Sequence, residues 1–341
     1  MKAAIFSEHG GPEVLRVAEV ETPEPGPGEV RVRVRAAAMN HLDLWTRRGL
    51  PIEITMPHIG GSDIAGEVDA VGPGAERVPL GIRVVVDPSL DYEWYEGRPQ
   101  GPSLPNPPLR LIGEHTQGGF AEYAVVPARN LLELPEDVPY DIAAAAGLVG
   151  VTAWRGLMVR GGLRAGESVL VTGASGGVST MAIQIARMAG AEVFAVTSGP
   201  DNVERARALG AHRVYDREAG DFGKALWKDT GKRGVDVVLD SVGQALWPAL
   251  LRTLAPYGRL VTFGATTGAL GETEIRLVFW RQLSILGSTM GSPAEFREVM
   301  GHVFAGRLGP VISDVLSLEE VASAHRRLEA GEVFGKLVIR P

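Results

Sequence analysis

The sequence predicts an α/β protein in which a doubly wound parallel sheet accompanies a second, mostly antiparallel β domain. From about Gly166 onward, short apolar strands alternate with helices, which is typical of a parallel sheet with helices on both faces. In the first third of the chain, residues 29–35 alternate apolar and charged side chains with period two, as a half-buried strand does. A length of 341 residues suits about two domains.

The individual elements of the parallel sheet can be placed from these patterns. Its predicted strands are residues 168–172, 192–197, 213–215, 235–239, 259–263 and 284–286. The predicted helices of the same region are residues 180–188, 202–209 and 246–254. A further helix over residues 319–329 and a strand over residues 336–339 follow. We therefore predict one domain from residues 1–149 and 291–341, and a second domain from residues 150–290.

The composition narrows the possible classes of function. A formal net charge of −7 argues against nucleic-acid binding, which usually requires a basic patch. The chain has no cysteine, so a disulfide, a thiolate metal site and a cysteine nucleophile are all excluded. The start of the chain does not have the pattern of a secretory signal, and the most apolar segment, residues 143–154, is too short to cross a bilayer. We expect a cytoplasmic protein that binds neither nucleic acid nor membrane.

A glycine-rich turn joins the first predicted strand of the parallel sheet to its helix. Glycines let the backbone approach a pyrophosphate, and the helix start offers free N–H groups and the positive end of a dipole. The spacing is G-x-x-G-x-x-S rather than the usual G-x-G-x-x-G, with Ser179 at the third glycine position. The alternative is a purely structural turn. The predicted dinucleotide-binding residues of this turn are Gly173, Ser175, Gly176, Gly177, Val178 and Ser179.

The end of the second predicted strand bears on the choice of coenzyme. An NAD site usually has an Asp or Glu here that binds the ribose hydroxyls. The sequence instead reads Thr197-Ser198-Gly199, and no acidic residue precedes Asp201. This favours NADP(H) over NAD(H), with Ser198 at the binding site. No clear basic partner for a 2′-phosphate is evident, because Arg205 and Arg207 can equally be solvent-exposed residues of the next helix.

Several stretches together resemble the medium-chain dehydrogenase/reductase superfamily, and the resemblance covers essentially the whole chain. They are residues 60–68 (GGSDIAGEV), 118–123 (GGFAEY), 173–179, 240–243 (DSVG) and 335–336 (GK). The resemblance implies a Rossmann domain joined to a GroES-like β domain. Within the superfamily, the sequence resembles both the zinc-containing alcohol dehydrogenases and the zinc-free quinone oxidoreductases and lies between them.

The resemblance also implies that the catalytic zinc ligands of the superfamily are replaced here. The three ligand positions match Asn40, Ser62 and Leu148, which cannot form a tetrahedral site of nitrogen and sulfur donors. Asn40 followed by Asp43 is similar to the N-x-x-D pattern of quinone oxidoreductases. Zinc-containing members also carry a four-cysteine lobe, whereas the matching residues 88–112 are proline-rich and predict an exposed loop.

In place of a metal, we predict a catalytic group made of Asn40, Asp43, Ser62 and Asp63. Asn40 and Ser62 are candidate hydrogen-bond donors to the oxygen on which negative charge develops. Asp43 and Asp63 are expected to orient them. The alternatives are that Asn40 is a turn residue, Ser62 a filler and Asp43 a carboxylate at a helix start. An oxygen-rich metal site that combines His41 and His58 with the two aspartates is a further, less favoured alternative.

The resemblance assigns roles toward the cofactor as well. His41 and Lys336 correspond to basic positions that meet the pyrophosphate in relatives. Val178 and Thr152 are implied near the nicotinamide, and Val242 as a wall of the adenine pocket. Backbone contacts to the nicotinamide end are implied for the segments that contain Gly264 and Ser288.

These observations predict a zinc-free NAD(P)H-dependent oxidoreductase that transfers hydride to an activated carbonyl, enone or quinone. The first alternative is an alcohol dehydrogenase, and the second is a dinucleotide-binding protein without turnover. The substrate is expected to be a small molecule. Residues 277–290 resemble the edge strand through which relatives pair their sheets, which implies a homodimer or a homotetramer.

Overall fold

The computed structural model describes residues 1–90 and 109–341, and most of the predicted loop at residues 88–112 lies outside them. Contacts between Cα atoms divide the chain into two compact units. The first unit is Met1–Val149 with Gly291–Pro341, and the second unit is Gly150–Met290. The predicted α/β class, with a parallel Rossmann-like sheet and a separate mostly antiparallel sheet, is confirmed.

The first eight strands and the last two belong to the sheets of the first unit, and the six strands between them form the parallel sheet of the second unit. In the first half they are β1 (Lys2–Phe6), β2 (Arg16–Glu19), β3 (Glu29–Ala38), β4 (His58–Ile59), β5 (Asp63–Val71), β6 (Arg83–Val86), β7 (Tyr123–Pro127) and β8 (Leu131–Glu133). They continue as β9 (Ser168–Val171), β10 (Glu192–Thr197), β11 (Arg213–Asp216), β12 (Val235–Asp240), β13 (Leu254–Thr262), β14 (Ser284–Gly287), β15 (Ile312–Ser317) and β16 (Lys336–Arg340).

The helices are distributed over both units. They are α1 (His41–Arg48), α2 (Tyr140–Trp154), α3 (Gly177–Met188), α4 (Pro200–Ala208), α5 (Phe222–Asp229), α6 (Trp247–Thr253), α7 (Ile275–Arg281), α8 (Pro293–Phe304) and α9 (Val321–Glu329). Helix α7 has no fully buried residue, and its contacts with the core come from the adjacent Leu277 and Val278, which give no helical period in the sequence.

The main sheet of the first unit has the strand order β15-β16-β3-β5-β6-β8, and β7 also pairs with β3. All of these pairs are antiparallel except β15 with β16. At the end of β3, Ala38 pairs with Val338 of β16 on one side and with Asp63 of β5 on the other. This register brings the carboxyl end of β3, the start of β5 and the start of β16 together.

The second unit contains a six-stranded parallel sheet in the order β11-β10-β9-β12-β13-β14. The order reverses next to β9, and ligands of such sheets bind beyond the carboxyl ends of the strands at this point. Strand β13 begins at Leu254 rather than at the predicted residue 259. Its first residues pair in a shifted register, which hides their strand pattern from the sequence.

Helix α2 is longer and more apolar than the sequence analysis predicted. It continues as a π-helical stretch, Arg155–Arg160, so the helical segment Tyr140–Arg160 has 21 residues. By length and composition this segment is apolar enough to cross a membrane, and the predicted limit of residues 143–154 was too short. In the structure, 78% of its most apolar window is buried within the protein, as in the core helix of a soluble domain.

A buried arginine fixes helix α1 in the first unit. Arg47 is fully buried, donates from Nε to the Gly10 carbonyl at 3.1 Å, and pairs with Glu329 of α9. Its Nη1 lies 3.2 Å from Nδ1 of His325. Burial, helped by the Arg47 charge, lowers the pKa of His325 to about 3, so the ring is neutral at pH 7 and Nδ1 accepts this bond.

We expect the substitution Arg47→Met to destabilise the protein, because it leaves the Gly10 carbonyl and His325 Nδ1 without their buried donor and takes one of two cations from Glu329. A buried acceptor left unsatisfied costs about 1–3 kcal/mol. Arg48→Met is the matched control, because Arg48 is about half exposed and bonds the same carboxylate at 3.0 Å. Its loss should cost less than about 1 kcal/mol. Urea unfolding measures both values, and equal costs would contradict a special role for Arg47.

Candidate functional site

Four of the predicted site residues form a buried polar cluster in the first unit: Asn40, Asp43, Asp63 and Lys336. Lys336 donates from Nζ to Asn40 Oδ1 at 2.6 Å and to Asp63 Oδ2 at 3.2 Å. Asn40 donates from Nδ2 to the same Asp63 oxygen at 2.9 Å. The ammonium and the amide are thus held against one carboxylate.

The sheet register explains why residues so far apart in sequence meet. Asn40 follows the end of β3, Asp63 begins β5 and Lys336 begins β16. The two neighbouring strands both pair with Ala38, so all three side chains start from one corner of the sheet. The other Asp63 oxygen, Oδ1, accepts the backbone N–H of Leu148 at 2.7 Å. The cluster therefore has partners from four separate segments of the chain.

Asn40 has its hydrogen-bonding groups turned inward. It is the N-cap residue of α1, and its backbone N–H donates to the Asp43 side chain in a capping-box arrangement. The second Nδ2 hydrogen points to the Ala38 carbonyl at 3.3 Å, and Oδ1 accepts from Lys336. The amide donors that the sequence analysis assigned to a substrate are thus occupied within the first unit.

Asp43 links helix α1 to the segment that carries Ser62. Its Oδ2 accepts the backbone N–H of Asn40 at 2.7 Å, and its Oδ1 accepts that of Gly61 at 2.9 Å. Burial raises the pKa of Asp43 to about 6, although these two bonds and the Lys336 ammonium oppose the rise. Gly61 has φ +96°, and a Cβ there would lie 2.8 Å from the Phe120 ring, so only glycine fits.

Among the four predicted catalytic residues, Ser62 is the one whose side-chain donor is unpaired in the described residues. Its side chain is fully buried, and within residues 1–90 and 109–341 its Oγ has no hydrogen-bond partner. Since a buried hydroxyl normally finds a partner, the atom is available to a ligand or a water molecule. Ser62 is therefore the candidate donor that the structure leaves unassigned.

The two basic residues implied at the pyrophosphate differ in their surroundings. His41, at the first position of α1, keeps an exposed surface, yet the protein packed around the ring, followed by the Lys336 charge, lowers its pKa. Lys336 is 3% exposed, and its Nζ bonds side chains of its own unit. Burial lowers the pKa of Lys336, while the carboxylates of Asp63 and Asp43 oppose the shift and favour the ammonium. The resemblance did not imply these contacts of Lys336 with Asn40 and Asp63.

In the second unit, the glycine-rich turn has the geometry that a pyrophosphate requires. Gly173 has φ +55°, and Gly176, the N-cap of α3, supplies no side-chain cap. The N–H groups of the first helical turn have no acceptor inside a helix, so they remain for a ligand. Ser179 donates from Oγ to the Thr172 carbonyl at 2.7 Å. Its hydroxyl thus lets a serine take the position of the third glycine.

Apart from Thr152, which lies on helix α2, the predicted cofactor residues of this unit share one edge of the parallel sheet. Each of them follows the carboxyl end of a different strand. After β9, β10, β12, β13 and β14 respectively, these residues are Gly173, Ser198, Val242, Gly264 and Ser288. The Oγ atom of Ser288 is buried and has no hydrogen-bond partner among the described residues, and Thr152 contacts the Met290 sulfur at 3.8 Å. These five predicted residues therefore lie along the same edge of the sheet, and the edge fits a dinucleotide.

The structure also places a residue there that the sequence analysis missed. Arg217 follows β11, and its Nε donates to Ser198 Oγ at 2.5 Å. The only sequence signal was a basic residue just after the third strand of the sheet. Ser198 and Arg217 are distant in sequence, and they meet because β10 and β11 are neighbours in the sheet.

A search of the described residues finds no group of three or more His, Cys, Asp or Glu side chains that could hold a metal. A catalytic zinc is bound by nitrogen, sulfur and carboxylate donors in a tetrahedral set. At the three implied ligand positions, Asn40 is occupied by Lys336 and Asp63, Ser62 has a hydroxyl, and Leu148 has an apolar side chain. This donor set does not fit a catalytic zinc.

Comparison with known proteins identifies the family of both units. Residues 26–136 match the alcohol dehydrogenase GroES-like domain, and residues 177–305 match a family described as zinc-binding dehydrogenase. Human quinone oxidoreductase is 30% identical over 350 residues, which cover 99% of this chain and 97% of that protein. Crotonyl-CoA reductase from Streptomyces collinus is 31% identical over 370 residues, covering 96% of this chain and 82% of that protein.

Solved structures give the same result. A structure titled NAD-dependent alcohol dehydrogenase has 42% sequence identity and a TM-score of 0.94, with both chains fully covered. A cobalt- and zinc-bound thermostable alcohol dehydrogenase from Pyrobaculum aerophilum has 35% identity and a TM-score of 0.88, covering 100% of this chain and 99% of that chain. This chain belongs to the medium-chain dehydrogenase/reductase superfamily and is an NAD(P)-dependent oxidoreductase.

Proposed function

We propose that the chain is a zinc-free reductase that uses NAD(P)H, with NADPH preferred, to transfer hydride to an activated carbonyl, enone or quinone. The observation that carries the proposal is the Lys336 ammonium bonded to Asn40 and Asp63. A positive charge already lies against the side chain at the first implied ligand position. A second cation there would be repelled, most strongly in a buried site of low dielectric.

The chain's own groups can stabilise the charge that develops on a substrate oxygen. The bound nicotinamide supplies the hydride. The free Ser62 hydroxyl donates a hydrogen bond to the substrate oxygen in this proposal, as an oxyanion-hole donor does. Asp43 holds the Gly61 backbone beside it, and Asn40 and Asp63 hold each other and Lys336. Asn40, Asp43 and Asp63 therefore act as positioning residues.

A second candidate function is supported by one specific observation. The solved structure with 42% identity is titled an NAD-dependent alcohol dehydrogenase. The alternative is thus interconversion of alcohols with aldehydes or ketones, with NAD as coenzyme. Metal content and coenzyme preference separate the two candidates.

We expect freshly purified protein to contain much less than one zinc per chain and to bind NADPH more tightly than NADH. Atomic emission measures the metal, and quenching of tryptophan fluorescence measures both coenzymes. Turnover is then assayed with quinones, enones and aldehydes in parallel with alcohols. One zinc per chain, NADH preference and alcohol oxidation would together replace the proposal by the alcohol dehydrogenase candidate.

We expect Ser62→Ala to lower kcat by about 100-fold, which is typical when one oxyanion-hole donor is removed. The melting temperature should stay nearly unchanged, because Ser62 Oγ has no protein partner to lose among the described residues. Ser89→Ala is the matched control, since Ser89 Oγ is likewise buried and unpartnered in the part of the chain that the structure describes. Equal activity of the two variants would exclude Ser62 as the donor.

We also propose that the protein is a homodimer that pairs through strand β14 and helix α7. Strand β14 is an edge strand of the parallel sheet and leaves one row of backbone groups open to pairing. Beside it, apolar side chains are exposed: Ile275 by 74%, Phe279 by 62%, Trp280 by 79% and Ile285 by 40%. A patch of this kind is typical of a protein–protein interface.

We expect the double substitution Phe279→Asp with Trp280→Asp to convert a dimer into a monomer, because charges would have to be buried at the interface. Light scattering after size-exclusion chromatography measures the mass. Leu80→Asp is the control, since Leu80 is 65% exposed in the first unit, outside the patch. The proposed interface is wrong if the double variant keeps the mass of the parent protein.

A further inference from the structure

Two neighbouring strand ends in the second unit bring Ser198 and Arg217 together. Strands β10 and β11 are parallel, and Thr197 pairs with Asp216. The next residue on each strand is therefore Ser198 on one side and Arg217 on the other. The backbone N–H of Arg217 donates to the Thr197 carbonyl at 3.0 Å, and Nε donates to Ser198 Oγ at 2.5 Å. The arginine is fixed at both its backbone and its side chain.

In the part of the chain that the structure describes, the charge of Arg217 has no ion-pair partner. In the described ranges, no carboxylate oxygen lies within the 4.0 Å of an ion pair from its guanidinium. The carboxylate of the adjacent Asp216 forms no ion pair with it, and its Oδ1 instead accepts the backbone N–H groups of Gly199 at 3.1 Å and Glu218 at 2.9 Å. Some other arginines of this unit are paired, as Arg259 is with Glu167. Arg217 thus has an anchored Nε, while Nη1 and Nη2 remain for an anion.

The position of this pair matches the end of a dinucleotide where the coenzymes differ. In a Rossmann sheet, the strand that ends about 20 residues after the glycine-rich turn lies beside the adenosine ribose. A carboxylate there binds the free 2′-hydroxyl of NAD, whereas an arginine accommodates the 2′-phosphate of NADP. Thr197 and Ser198 supply no carboxylate. A guanidinium is suited to a phosphate because it donates two parallel, charge-assisted hydrogen bonds.

We propose that Arg217, anchored by Ser198, binds the 2′-phosphate of NADPH and sets the coenzyme preference of this protein. The inference rests on the proposed preference for NADPH and names the side chain responsible for it. Ser198 acts by holding the guanidinium, so its role is that of a positioning residue. Nothing in this assignment depends on the acceptor that the enzyme reduces.

The test compares Arg217→Gln with Arg213→Gln. Both arginines are exposed, but Arg213 begins β11 at the amino edge of the sheet, away from Ser198. Binding of NADPH, NADH, adenosine 2′,5′-bisphosphate and AMP is measured by calorimetry on the full-length protein. Arg217→Gln should weaken NADPH and the bisphosphate by about 10- to 100-fold, the value of charged hydrogen bonds. NADH and AMP should change less than about twofold, and Arg213→Gln should change none of the four beyond that.

The outcomes separate this inference from the proposed function. If the parent protein prefers NADPH and Arg217→Gln keeps that preference, the assignment of Arg217 is overturned while the NADPH proposal stands. If the parent protein binds NADH more tightly and does not distinguish the bisphosphate from AMP, both are overturned. Ser198→Ala should weaken the bisphosphate by a smaller factor than Arg217→Gln, since it removes only the anchor. A full effect of Arg217→Gln on NADH and AMP would show a structural role instead.

Discussion

The first unit depends on a buried ion pair, that of the Lys336 ammonium with Asp63. Removing either charge from water costs on the order of several kcal/mol, so the pair is tolerated only with further hydrogen bonds. Asn40 supplies two of them, and the backbone of Leu148 supplies another. Each of these three side chains therefore depends on the other two for its hydrogen bonds. The last strand of the chain, which carries Lys336, is consequently part of the site rather than a peripheral addition.

The antiparallel register of β3 makes this arrangement possible. Ala38 pairs with β16 and β5 at once, so side chains separated by more than 270 residues in sequence meet at one corner. In the second unit the corresponding organising feature is a parallel register. Because parallel strands end at one edge, the five turns that carry the predicted cofactor residues converge there. The two units therefore assemble their functional residues by different geometric rules.

The sequence was informative where a single segment carries the whole signal. The parallel strands could be predicted because buried β runs between helices have a local pattern, and the turn at Gly173 has a local mechanism. Partners that lie across strands could not be predicted in this way. The ammonium of Lys336 was expected at a pyrophosphate, and its bonds to Asn40 and Asp63 depend on a register that no local pattern contains. Arg217 was missed for the same reason, since it meets Ser198 through the pairing of Thr197 with Asp216.

A site built in this way limits the chemistry that it can support. A metal polarises a substrate oxygen directly, whereas the Lys336 charge is largely neutralised by the carboxylate 3.2 Å away. The donor of the proposed mechanism, Ser62, offers one neutral hydrogen bond. One neutral donor stabilises a developing oxyanion less than a dication does, so the substrate must contribute more of the electrophilicity itself. Quinones, enones and reactive aldehydes meet that requirement, because their products delocalise the incoming electrons or their carbonyl is already electron-poor. The acceptor class in the proposed function thus follows from the charge balance of the buried cluster.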